Sequence, residues 1–130
     1  MWGWAMTKDN ILNALEHSEE KNARFFEAWK RGVGFVGPEL FGPGNLRSAR
    51  DKNDLKPLRQ AVEGWFEGAS GGEKQLLGAM VSFYDPEWGE ELAARTDDEK
   101  SLCGLTFNLD HQEMEILCDL LRNYTGWEEA

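Results

Sequence analysis

The two histidines and two cysteines are the residues of this 130-residue chain best suited to catalysis or metal binding. His17 lies among several carboxylates, which is typical of a solvated helix face. His111 has Glu115 one helical turn later, so these two could form a weak metal pair. Zinc takes about four nitrogen or sulfur ligands, whereas His111, Cys103 and Cys118 supply only three, at uninformative spacing. The sequence therefore predicts no metal site and no cofactor.

Signatures of nucleophilic catalysis are missing from the sequence. No serine occupies a G-x-S-x-G elbow, and neither cysteine has a sequence neighbour that would plainly activate it. The cysteines also form no C-x-x-C pair, so we expect reduced thiols in a cytoplasmic protein. Acidic pairs such as Glu90–Glu91 could serve acid–base chemistry, but acids at this density usually form a solvated face. An enzyme or metal-dependent protein that uses His111 with nearby Glu or Cys side chains is retained as an alternative.

Residues 32–37 read G-V-G-F-V-G and fit the G-x-G-x-x-G pattern of dinucleotide-binding loops. That pattern requires a strand before it and a helix after it, so that the pyrophosphate meets free N–H groups at the helix start. Here a helical pattern precedes Gly32, and Pro38 directly follows Gly37. We interpret the segment as a helix end followed by a tight loop.

Residues 70–75, S-G-G-E-K-Q, resemble the signature loop of the ATP-binding cassette ATPases. In that family the serine and glycines contact the γ-phosphate of a nucleotide held by another subunit. The family also needs a G-x-x-x-x-G-K-[ST] loop, which this sequence lacks. The same residues also fit an ordinary helix start. Ser70 would cap the helix, Gly71 and Gly72 would form a tight entry, and the Glu73 side chain would reach back to the N–H of the capping residue.

Charge is unevenly distributed along the chain, whose net charge is −10. Residues 1–60 carry ten Lys/Arg against eight Asp/Glu, and residues 61–130 carry four against sixteen, a net charge of −12. Such an acidic surface repels nucleic acids and anionic membranes. Direct nucleic-acid binding is therefore disfavoured, no membrane association is expected, and a basic protein surface is the predicted partner.

Apolar spacing predicts a helix over about residues 8–30, with a polar middle at 16–22. One long helix and two helices separated by a cap at Ser18 both fit this pattern. Lys30, Arg31 and Gly32 are typical of a helix C-terminus, so the helix is expected to end at Gly32. Residues 32–53 are rich in Gly and Pro but contain aromatic residues, which predicts an ordered loop packed on the helices. Residues 1–6 are either a packed arm or a loose extension.

Helix starts are predicted by caps along the rest of the chain. They are at Asp54, Ser70, Asp85–Pro86, the capping box Thr96–Glu99 and the capping box Asp110–Glu113. No segment shows sustained period-two alternation, and there is no internal repeat. The predicted class is all-α, a single domain over 1–130 with about five or six helices in a bundle.

The best-supported function from the sequence is a small, acidic, non-catalytic protein-binding protein. It would act as an inhibitor or adaptor that meets a basic surface through its acidic C-terminal half, with nucleic-acid mimicry as a sub-hypothesis. The predicted partner-binding residues are Phe35, Phe41, Glu87, Glu90, Glu91, Asp97, Asp98 and Glu99. A homodimer could pair this acidic run with a basic stretch formed by Arg47, Arg50, Lys52, Lys56 and Arg59. A structural subunit of a larger assembly is a further alternative.

Overall fold

The computed structural model describes residues 8–69, 71–95 and 109–127. Within these ranges the chain forms five α-helices, which are α1 Lys8–Val36, α2 Arg59–Phe66, α3 Gly71–Tyr84, α4 Pro86–Ala94 and α5 His111–Asn123. Two three-residue strands, β1 Phe41–Pro43 and β2 Leu55–Pro57, pair antiparallel, with Phe41 opposite Pro57. The predicted helical class is confirmed. The sheet escaped prediction because three-residue strands are too short to show alternation.

Helix α1 is one continuous helix through residues 16–22, as the first of the two sequence alternatives states. The expected end at Gly32 is wrong, because the helix continues to Val36. Gly32 is buried, and a Cβ atom on it would lie 2.7 Å from Sδ of Met80 on α3. Glycine at this position therefore leaves room for the Met80 side chain between α1 and α3, and it does not end the helix.

The end of α1 lies at Gly37, whose φ of 141° is accessible mainly to glycine. Its N–H donates to the carbonyl of Val33, which satisfies a carbonyl of the last turn. The three glycines of the G-x-G-x-x-G pattern thus lie in and just beyond the last turns of a helix. No strand precedes them among the described residues, so they lack the strand–loop–helix geometry of a dinucleotide site.

The segment after α1 is built from short elements rather than from a single loop. Two 3₁₀ turns, Pro38–Leu40 and Lys52–Asp54, flank the loop that joins β1 to β2. The predicted helix start at Asp54 is wrong, since α2 begins at Arg59. A proline disfavours the α conformation at the residue before it. Because Lys56 precedes Pro57, the chain stays extended through β2.

Two of the predicted caps are confirmed. The Asp85 carboxylate accepts a hydrogen bond from the Trp88 N–H at 3.2 Å, and Pro86 takes the first position of α4. Asp110 and Glu113 form both hydrogen bonds of a capping box at the start of α5. The predicted box at 96–99 lies outside the described residues, as do Ser70 and residues 1–6.

The core lies between the second half of α1, α3 and α5, with the hairpin closing one side. Trp29 is fully buried, and its Nε1–H donates to the Leu55 carbonyl of β2 at 2.8 Å. Its ring lies edge-on to Phe41 and Trp127 at centroid distances of 5.9 and 4.9 Å. This indole therefore ties the hairpin and the C-terminal segment to α1.

Candidate functional site

Helix α4 presents two opposite faces, one apolar and one acidic. Trp88, Gly89 and Leu92 are buried against the rest of the domain. Gly89 lies so close to α3 that a Cβ atom there would approach Ser82 Cβ within 2.5 Å. The opposite face carries exposed carboxylates, namely Glu87, Glu90 and Glu91. Close packing on one side therefore holds these carboxylates on a fixed helix.

Arg59 of α2 compensates part of this charge. Its guanidinium lies 3.9 Å from both the Asp85 and the Glu91 carboxylates. It also stacks 4.3 Å above the ring of the buried Trp88. Glu87 and Glu90 form no ion pair with any residue in the described ranges. Helix α4 therefore holds at least two carboxylates that form no ion pair within the described residues.

The five basic residues predicted as a self-association patch differ in their environments. Arg47 and Arg50 are exposed in the β1–β2 loop, and Arg59 contacts α4 of the same chain. Lys52 points inward, where its ammonium group lies 5.2 Å from the Trp127 ring and donates to the Gly126 carbonyl. Of the five, only Arg59 contacts the described part of the predicted acidic run, and it does so within one chain.

Lys56 borders a shallow groove of about 370 Å³ between the hairpin and the start of α4. Arg59, Tyr84 and Trp88 line the same groove. The indole Nε1 of Trp88 is buried there without a hydrogen-bond partner. Since that nitrogen is closed off from solvent, it is not available to a ligand in this conformation.

The two aromatic residues of the predicted binding loop differ in accessibility. Phe41 is 4% exposed and packs on Trp29, so its ring has no free face for a partner. Phe35 is half-buried near the end of α1. Asp97, Asp98 and Glu99 lie outside the described residues. The accessible part of the predicted surface is therefore the acidic face of α4.

His111 is placed at the start of α5, with its side chain 87% exposed. Its Nε2 lies 3.3 Å from the Glu115 carboxylate, the i,i+4 pair expected from the sequence. Cys118 is exposed and lines a second shallow groove, together with His111 and Glu115. Among the described residues, no three His, Cys, Asp or Glu side chains converge on a site for a metal ion. The geometry therefore adds no support to the enzyme alternative; Cys103 lies outside the described residues.

Glu113 is buried on α5, and its surroundings perturb its carboxyl group. Burial raises the pKa of this carboxyl above its ordinary value, and the nearby carboxylates of Asp110 and Glu73 raise it further. The hydrogen bond from the Asp110 N–H opposes this shift, because it favours the charged form. The residue closes the capping box of α5, so its role is structural.

Two features were not predicted from the sequence: a cluster of aromatic side chains, and an aspartate contacted by two arginines. Phe25, Trp29, Phe83, Tyr84, Tyr124 and Trp127 form the cluster. On the opposite side of α1, Arg31 and Arg122 both contact Asp119 of α5. Aromatic side chains at helical spacing are a recognisable core signal, but an Arg–Asp pair separated by 88 positions leaves no local pattern.

No helix in the described ranges is long and apolar enough to cross a membrane. Comparison of the sequence with protein-family models and with curated proteins, and of the structure with solved structures, finds no match.

Proposed function

We propose that this chain is a non-catalytic protein-binding protein that meets a basic protein surface through its acidic C-terminal half. The observation that carries the proposal is the outer face of α4, where Glu87 and Glu90 are exposed without an ion-pair partner in the described ranges. Carboxylates that form no ion pair with the described residues are available to Lys and Arg side chains of a partner.

The fixed orientation of α4 favours this role. Trp88 and Leu92 are at most 2% exposed, so the helix is anchored along its inner face. A preorganised helix loses little conformational entropy when its outer face binds, which leaves more of the interaction energy for affinity. Asp97, Asp98 and Glu99 follow α4 closely in the sequence, and we include them in the proposed surface on that ground.

The net charge of −12 over residues 61–130 supports electrostatic steering of a basic partner. The same charge is consistent with an inhibitor that imitates nucleic acid, in which carboxylates replace phosphates on a nucleic-acid-binding protein. An adaptor that meets a basic protein for another purpose uses the same chemistry. Both forms require affinity that falls steeply with added salt.

A charge-matched comparison tests the proposal. The probe is a fluorescein-labelled peptide of alternating Lys and Arg, whose binding is followed by fluorescence anisotropy at several salt concentrations. The variant Glu87→Gln/Glu90→Gln/Glu91→Gln removes charge from α4. The control Asp9→Asn/Glu16→Gln/Glu20→Gln removes the same charge from the exposed part of α1.

We expect the α4 variant to raise Kd about tenfold, because three surface ion pairs contribute about 0.5 kcal/mol each. The control should change Kd by less than about threefold, since it alters only the long-range field. Equal weakening by both variants would show that net charge alone attracts the peptide. Affinity that does not depend on salt would contradict the proposal altogether.

A further inference from the structure

The first half of α1 forms a surface separate from α4. Over residues 8–24 every side chain is exposed except that of Lys21, which is half-buried. This segment is about 25 Å long at 1.5 Å per residue, and Asn22 near its end accepts a hydrogen bond from Thr125 of the C-terminal segment. An isolated helix of this length is marginal in water, because most helical stability in proteins comes from packing of an apolar face.

That segment carries an apolar face. Ile11, Leu12 and Leu15 are 45%, 47% and 56% exposed. Ile11 and Leu15 precede the buried Trp29 and Val33 by eighteen residues each, which is five full turns of an α-helix. The apolar stripe therefore continues the core-facing side of α1 beyond the body, where no described element covers it.

Charges of opposite sign end this stripe. Lys8, Leu12, Leu15 and Glu19 follow a four–three–four spacing, which is the seam of two packed helices. Lys8 and Glu19 form no ion pair with residues in the described ranges. From its N-terminal to its C-terminal end, the exposed face therefore carries a basic residue, then the apolar residues, then an acidic residue.

We propose that this half of α1 binds the same half-helix of a second copy of the chain in antiparallel orientation. In that register Lys8 lies opposite the partner's Glu19, and Leu12 lies opposite the partner's Leu15. A parallel pair would instead place Lys8 against Lys8 and Glu19 against Glu19. Charge complementarity therefore selects an antiparallel second copy, since flanking charges set the orientation of paired helices.

The folded bodies leave room for this pairing. The contact ends at Glu19, about 9 Å before Phe25, the first fully buried residue of α1. The two bodies then lie at opposite ends of the paired helices. Stable interfaces bury about 1,200 Å² or more, whereas this one has three half-exposed apolar side chains per copy. The dimer is therefore weak and depends on concentration.

Sedimentation equilibrium of the full chain over a range of concentrations tests the apolar contact. The variant Leu12→Gln/Leu15→Gln should raise the dimer Kd by about tenfold or more, because four leucines are lost from the two-fold contact. The control Asn13→Gln/His17→Gln introduces the same residue type on the opposite face and should leave Kd unchanged. Circular dichroism checks that both variants keep the helix, which glutamine supports well.

Charge reversal tests the orientation. Lys8→Glu and Glu19→Lys should each raise Kd several-fold, and the double variant should restore it. In a parallel pair each single change would replace one like-charge contact with another, so Kd would not change. That result would overturn the antiparallel register.

A chain that stays monomeric at about 1 mM, where even a weak contact would populate a dimer, overturns the proposal. A dimer that is insensitive to Leu12→Gln/Leu15→Gln also overturns it, because another surface then makes the contact. The α4 variant Glu87→Gln/Glu90→Gln/Glu91→Gln should leave the dimer Kd unchanged. Failure of this proposal and failure of the proposed function are thus distinguishable.

Discussion

The two halves of α1 differ in environment although they share one helix. Residues 25–36 include six buried positions that pack against α3, α5 and the hairpin. Residues 8–24 include none. Ile11 and Leu15 repeat Trp29 and Val33 five turns earlier, so the apolar pattern alone does not distinguish the halves. Whether a position on this face is buried depends on which other elements pack against it, and the tertiary fold determines that packing.

Amide hydrogen exchange should show the largest difference between the halves. At concentrations below dimer formation, amides in 8–24 exchange after local fraying, with protection of about tenfold or less. Amides in 25–36 require opening of the core, so their protection should reach about ten thousand-fold. Mass spectrometry of peptic fragments measures both in one sample. Uniform protection along α1 in a monomeric sample would contradict this comparison.

Alanine substitutions on the same side of α1 sharpen the contrast. Trp29→Ala should lower the free energy of unfolding by about 4 kcal/mol, since it removes a fully buried indole and its bond to Leu55. Leu15→Ala should change it by less than about 0.5 kcal/mol, because Leu15 is already 56% exposed. Urea denaturation at low protein concentration measures both. A large effect at Leu15 would show that its side chain packs within the monomer.

Two glycines in the last turns of α1 give a smaller pair of opposite effects. Gly32→Ala should destabilise the fold by about 1–2 kcal/mol, because its Cβ would displace the buried Met80 side chain. Gly34→Ala should stabilise it by about 0.5–1 kcal/mol, since alanine favours the helix and the nearest Leu46 atom lies at an ordinary 3.6 Å. Thermal unfolding gives the sign of each. A stabilising Gly32→Ala would mean that Met80 moves away at little cost.

Two carboxylates of α5, the buried Glu113 and the exposed Glu115, extend the contrast between burial and exposure. Their substitution is expected to have the smallest effect on stability. Glu113 has a raised pKa in the fold, so its neutral form is favoured there and its contribution to stability falls as pH rises through that pKa. Glu113→Gln keeps the acceptor for the Asp110 N–H and removes the charge. It should raise Tm near neutral pH, and this gain should disappear below the ordinary glutamate pKa.

Glu115→Gln is the matched control, since that side chain is exposed on the same helix. Its Tm difference from the unmodified chain measures the effect of removing one exposed charge from α5. A Glu113→Gln difference that is constant with pH would show that burial does not disfavour the charged form.

Features set by neighbouring residues were predicted well from the sequence. The caps at Asp85–Pro86 and Asp110–Glu113 join groups three residues apart, so local hydrogen bonding and the fixed φ of proline make them readable. The acidic face of α4 was also foreseen, because exposed Glu residues alternate there with apolar ones at helical spacing. The burial of Phe41 could not be predicted from the sequence, because the side chain that packs on it, Trp29, belongs to another element.

The sequence by itself determined the helical class, the apolar periodicity and the uneven charge, because each follows from residue type and short-range spacing. Only the tertiary structure decided that α1 passes through Gly32 and that Lys52 points toward Trp127. It also decided that Ile11, Leu12 and Leu15 remain exposed. These outcomes depend on contacts between segments far apart in the chain, where close packing of particular side chains outweighs local preference.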